Sequence, residues 1–169
     1  AVADPALRAR AEQLQAICLE RGLRLAFAES CTGGRVGDAL TDVAGSSAYV
    51  AGGIVAYEDA AKEGLLGVPR PVLEAHGAVS AQVAVAMAEG ARARFAADIA
   101  VAVTGIAGPS GGTEAKPVGT VHIALADSGQ TLARQYAFRW DRRRNKIMGA
   151  YSALMLLLRY LRGEARDER

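Results

Sequence analysis

Apolar positions in this chain fall into two kinds of run that alternate. From about Ala6 to Arg21, Leu7, Leu14, Ile17 and Cys18 line one face of a helix, and Gly22 stands where a left-handed residue would end it. Leu23 to Ala28 is short and continuously apolar, the pattern of a buried strand. A short helix through Val36 and Leu40 follows, then the turn Gly45-Ser46-Ser47 and a second extended run from Tyr49 to Tyr57. The Gly52-Gly53 pair inside that run predicts a bulge or a close backbone approach. Glu58 to Leu66 returns to helical spacing, Pro69 and Pro71 punctuate the chain, and Ser80 is placed to cap an Ala-rich helix from Ala81 to about Phe95.

The second half repeats the alternation and then changes it. Asp98 to Val103 reads as a third strand, and a long glycine- and proline-rich loop runs from Gly105 to Gly119. Val118 to Ala126 and Thr131 to Phe138 bracket Asp127-Ser128-Gly129-Gln130 as a hairpin. A last helix carries Ile147, Tyr151, Leu154, Leu158 and Leu161 on its inner face. Parallel neighbours need helical crossovers, whereas a hairpin reverses one strand. The expectation is therefore an α/β fold, a three-layer α/β/α sandwich with a mixed, mostly parallel sheet. It forms one domain over residues 1–169, with its core at about 6–161.

Composition narrows the function classes. With 51% hydrophobic and only 5% aromatic residues, the 169-residue chain has ample material for one packed core. A formal charge of +2 is too mild to mark a nucleic-acid binder, so nucleic acid is not the expected partner. The longest apolar run, Ala153 to Leu158, is far shorter than the ~20 residues of a membrane span, so no membrane association is expected. Two cysteines do not make a disulfide scaffold, which points to a reducing, cytoplasmic setting. A start at Ala1 rather than Met leaves room for a longer polypeptide with domains upstream.

Reactive groups concentrate at Glu29-Ser30-Cys31-Thr32-Gly33-Gly34, where a strand passes into a helix. Backbone N–H groups at a helix start favour an anion, and glycines let a ligand approach the main chain. Ser30 needs a base before it can act as a nucleophile. His76 sits in an expected turn and His122 inside a strand, which makes both poor candidates. Lys62 could serve if burial depressed its pKa, although spacing alone favours an exposed i,i+4 pair with Glu58. Cys31 is a possible nucleophile that apolar surroundings would keep as a buried thiol, and Tyr57 could orient substrate or relay a proton. Thr104 and the glycines of the following loop could form an anion-binding nest. Arg139, Arg142, Arg143, Arg144 and Lys146 precede or open the last helix, where at least one could grip phosphate. No His, Cys and carboxylate set has the spacing of a metal site.

These blocks, with Gly45-Ser46-Ser47, His76-Gly77-Ala78-Val79-Ser80, Thr104-Gly105-Ile106-Ala107-Gly108-Pro109 and Lys116-Pro117-Val118-Gly119-Thr120, occur in an order that resembles the CinA C-terminal, or PncC-type, nicotinamide mononucleotide amidohydrolase family. The resemblance runs from about Ala6 to Leu161. It implies hydrolysis of the carboxamide of nicotinamide mononucleotide to nicotinate mononucleotide and ammonia, in pyridine-nucleotide recycling and with no cofactor. It also implies Ser30 as nucleophile, Lys62 as base and Tyr57 beside them. Cys31, Thr32, Gly33, Gly34, Thr104, Gly105, Gly108 and Arg142 would contact a small pyridine nucleotide, and homo-oligomers are expected. Where many relatives carry Gly-Asp-Arg and a second arginine four positions on, this chain has Trp140-Asp141-Arg142 and then Lys146. That departure motivates an alternative, a catalytically weak nucleotide-binding or regulatory module of a larger competence-associated protein.

Overall fold

Alternating helix and strand signals become, in order, α1 (Pro5–Arg21), β1 (Leu25–Glu29), α2 (Arg35–Thr41), a 3-10 turn (Ser46–Ala48), β2 (Val50–Val55), α3 (Asp59–Leu66), α4 (Arg70–His76), α5 (Ala81–Arg94), β3 (Ile99–Gly105), β4 (Thr120–Ala126), β5 (Thr131–Ala137) and α6 (Arg142–Leu161). The computed structural model describes residues 4–165, so the extreme ends of the domain expected over 1–169 lie outside the described residues. Asp4 caps α1, Ser80 caps α5 and Asp141 caps α6, each accepting from an amide of the first turn. Only α4 was missed in the sequence. Pro69 is its N-cap and Pro71 lies in its first turn, where proline's missing N–H costs nothing, so prolines read as punctuation in fact start a helix that His76 ends.

The sheet has the order β2-β1-β3-β4-β5. β1 runs parallel to β2 and β3, and β4 is antiparallel to both β3 and β5, so β4 alone points the other way. Both readings of Gly52-Gly53 hold. The β1–β2 register slips at Ala51, and a Cβ on Gly53 or Gly52 would lie 1.9 Å from the Phe27 ring or 2.4 Å from the Phe95 ring.

Helices cover both sides, and the two sides differ. Leu25, Ile99, Val101, Val103, Val121, Ile123 and Leu125 face the layer that contains α1, α2 and α6. Ala26, Ala28, Ala100, Ala102, Ala124 and Ala126 face α5, flanked by α3 and α4. With only methyl groups beneath it, α5 packs close to the sheet. Gly90 lets it pass α3, since a Cβ there would meet the Leu66 carbonyl oxygen at 1.9 Å. Strands buried on both faces are apolar at nearly every position, as the sequence runs implied. No helix among the described residues is long and apolar enough to cross a membrane.

The carboxyl ends of the parallel strands lie together at one edge. Ser30 follows β1, Tyr57 lies just past β2, and Thr104 and Gly105 close β3. An open α/β sheet presents its reactive loops at this edge.

Candidate active site

β1 ends in Glu29, a fully buried carboxylate. Its Oε1 accepts from Thr32 Oγ1 at 2.6 Å, Gly34 N at 3.2 Å and Val36 N at 2.9 Å, and its Oε2 accepts from Gly37 N at 3.0 Å. Gly33 and Gly34 hold positive φ angles of 60° and 103°, which wrap residues 30–34 around that carboxylate. The Gly34, Val36 and Gly37 amides at the start of α2 are thus already satisfied by an anion of the chain itself. Ser30 is 7% exposed and on the α5 side of the sheet. Its amide donates to Val103 O, and Gly33 N donates back to Ser30 O. Among the described residues, the Thr32 amide donates to no protein acceptor and the Cys31 amide lies against its own thiol.

Lys62 reaches this turn from α3. The expected Glu58–Lys62 surface pair does not form: Lys62 is 1% exposed, and its Nζ donates to the Tyr57 carbonyl at 2.9 Å. Burial lowers the Lys62 pKa, opposed by Asp59 and Cys31. The amine acts electrostatically on the Cys31 thiol, which burial pushes up to about 12. Cys31 is a neutral thiol there, as its apolar surroundings suggested. Tyr57, 64% exposed, accepts from Arg142 Nη2 at 3.0 Å, and Arg142 Nη1 donates to Gly108 O at 2.7 Å. One guanidinium at the start of α6 therefore joins the segment after β2 to the loop after β3.

Ser30, Cys31, Gly33, Gly34, Lys62, Tyr57, Gly105, Gly108 and Arg142 converge at this edge. A Cβ on Gly105 would meet Cys31 Sγ at 3.1 Å, and one on Gly33 would meet Lys146 Nζ at 3.4 Å. Thr32 and Thr104 belong to the site as supports: Thr32 is fully buried on Glu29, and Thr104 Oγ1 donates to Ala78 O at 2.8 Å. Sequence reasoning assigned no role to Glu29 or Asn145. Asn145 Nδ2 donates to Ala107 O and Trp140 O, both at 3.0 Å, fixing the loop against α6. An acidic residue ending an apolar strand, and an asparagine on the inner side of a helix, were the available signals. Of the other basic residues, Arg144 lies 5.8 Å from the centroid of the Trp140 ring and pairs with Asp141.

Comparison with known proteins places this arrangement. The model of the CinA C-terminal domain matches residues 7–161. A CinA-like protein of Syntrophus aciditrophicus is 56% identical over 147 residues, 86% of this chain and 35% of that protein. One of Citrifermentans bemidjiense is 51% identical over 150 residues, 89% of this chain and 36% of that protein. The chain thus spans about a third of the length of these curated relatives. Among solved structures, the competence/damage inducible protein of Agrobacterium tumefaciens superimposes with a TM-score of 0.92 at 40% identity, covering 96% of this chain and 99% of that one. The competence damage-inducible protein A of Klebsiella pneumoniae gives 0.90 at 36% identity, covering 92% and 97%. With a family match over nearly the whole sequence and solved relatives that superimpose over nearly their full length, the chain belongs to the CinA C-terminal domain family.

Proposed function

We propose that this domain hydrolyses the carboxamide of nicotinamide mononucleotide, giving nicotinate mononucleotide and ammonia, through Ser30 and Lys62. The observation that carries the reading is a buried lysine beside the serine turn, with a backbone carbonyl as its hydrogen-bond partner and burial driving it toward the neutral amine. Burial disfavours the ammonium, and an amine so placed is suited to accept a proton from a neighbouring hydroxyl.

Neutral Lys62 takes the Ser30 proton as Oγ attacks the carboxamide carbon. The resulting oxyanion faces the Cys31 and Thr32 amides, the donors of the turn that serve no carbonyl. Lys62 returns the proton to the leaving nitrogen, the C–N bond breaks and ammonia departs. Water, deprotonated by Lys62, then cleaves the ester and frees the carboxylate and Ser30. Arg142 and Tyr57 line the rim, where a cation and a phenol can orient an anionic nucleotide.

The test is ammonia release from nicotinamide mononucleotide by the purified protein. Ser30→Ala and Lys62→Ala should each lower the rate by ~10³-fold or more while circular dichroism stays native. Undiminished release by either variant overturns the mechanism. Binding of the nucleotide without any release by the wild type supports the regulatory module instead, the reading that Lys146 in the arginine position over Gly33 favours.

A further inference from the structure

The two edges of the sheet are not alike. β5 forms one edge and carries Arg134 and Gln135, side chains of the kind that blunt an open strand. β2 forms the other, and from Val50 to Tyr57 the chain holds no charged residue and no proline. Its residues are half-buried or exposed, where the inner strands β3 and β4 are buried almost throughout.

The open backbone groups of that edge can be named. Ala56 N donates to Glu29 O at 2.8 Å, so Ala56 turns its amide toward β1. Residues two apart along a strand share a side, and the pairing of β1 with β2 is regular from Ala26 to Glu29. Gly52 and Ile54 therefore also face β1, and the N–H and C=O groups of Gly53 and Val55 face outward. Among the described residues, no helix or loop bonds to those outward groups, and β1 is the one neighbour of β2 in the sheet. Beside them Val55 keeps 48% of its surface exposed, unusual for a large apolar side chain here.

We propose that β2 pairs with β2 of a second copy of this chain, antiparallel about a twofold axis through Ile54. The strand's own pattern selects both occupant and register. Gly53 lies opposite Val55 of the second copy and Val55 opposite its Gly53, so each of these pairs exchanges both backbone hydrogen bonds and no outward group of Gly53 or Val55 is left over. Directly opposite residues share a face, so the exposed Val55 meets a residue without a side chain, backed by the Phe27 ring that fills the space over Gly53. Ile54 meets Ile54 of the second copy on the other face. The neighbouring registers do less well. Centring on Gly53 sets Val55 against Ala51, where the β1–β2 register is irregular. Centring on Val55 sets Gly53 against Tyr57, whose carbonyl already accepts from Lys62. A contact of this symmetry closes on itself, so it uses up the edge rather than seeding a fibre. It also sets Ala51 of the second copy opposite Tyr57, which places that copy along the rim that Tyr57 forms with Arg142. The inference rests on the sheet edge and is independent of the amidase reading.

The experiment is sedimentation equilibrium of the 169-residue protein, paired with amide hydrogen exchange of the isotopically labelled chain at low and high concentration. A species of twice 17.6 kDa is expected, with a dissociation constant on the order of 10 µM, because one strand pair buries less than a standard interface. The Gly53 and Val55 amides should exchange more slowly as the dimer fills, while those of Gly52 and Ile54 stay protected throughout. Val55→Lys puts two ammonium groups on diagonal positions of one face and should raise the dissociation constant by about tenfold or more. A monomer at about 300 µM overturns the pairing. So does a dimer that Val55→Lys leaves unchanged, or one in which Gly53 and Val55 exchange as fast as in the monomer, since either places the contact on another surface.

Discussion

Glu29→Gln tests how the reactive turn is held, because it changes charge and one donor while keeping shape. In the native protein Oε1 accepts three hydrogen bonds and Oε2 accepts one, from Gly37 N at 3.0 Å. The glutamine keeps an oxygen for the first three, but its amino group faces the Gly37 amide donor to donor. Losing one charge-assisted bond costs about 1.5–3 kcal/mol, and weakening three others adds about 0.5 kcal/mol each. Relief of a buried charge offsets part of this, leaving about 2–3 kcal/mol. For a domain of this size each kcal/mol moves Tm by about 2–4 °C, so a fall of roughly 5–10 °C is expected. Thermal unfolding at neutral pH by circular dichroism measures it, with ammonia release assayed on the folded protein. A Tm within about 2 °C of wild type would refute the claim that this carboxylate organises residues 30–37.

Other substitutions probe separate parts of the argument. Lys62 has a folded pKa below its unfolded value, so the unfolded chain binds more protons between the two. Wild-type stability relative to Lys62→Met should therefore rise with pH between the lowered folded pKa and 10.5, as urea unfolding at several pH values would show. The same depression places the rise of kcat/KM with pH below the ordinary lysine range. Cys31, with its thiol pushed from 9.0 up to about 12, should react with iodoacetamide at pH 8 about a thousandfold more slowly than a free cysteine by mass spectrometry; rapid labelling would reopen it as the nucleophile. Arg142→Lys cannot span both Gly108 O and Tyr57 Oη, and is expected to raise KM by about tenfold with a smaller effect on kcat. Gly90→Ala drives a methyl into the Leu66 carbonyl and should cost about 2 kcal/mol or more in urea unfolding.

Strand and helix identities were legible because both faces of the sheet are covered, which turns β1, β3 and β4 into apolar runs, and because Gly22 and Ser80 carry their own stop and start chemistry. α4 was not legible, since proline reads as a break until one knows that a helix begins there. For the site, residue types at the strand ends pointed to the right turn, and the family resemblance selected Ser30 and Lys62. Spacing alone misread Lys62: an i,i+4 Glu–Lys pair looks the same on paper whether the helix face is wet or buried. Glu29 escaped notice for a related reason. Its role depends on four donors that come within reach only when the chain folds back at Gly33 and Gly34.

The alanine face of the sheet has a consequence for how this protein can vary. On the leucine-rich side, one branched residue can be exchanged for another with local repacking, and mutational drift there is buffered. On the other side α5 rests on six methyl groups with Gly90 against a neighbouring main chain, and any added carbon must lift the helix. Ser30 and Lys62 both sit on that unyielding side. Libraries of random variants should therefore fill one layer with tolerated substitutions and leave the other nearly empty, and the distance between the serine turn and its lysine would be preserved by a layer that has no room to swell.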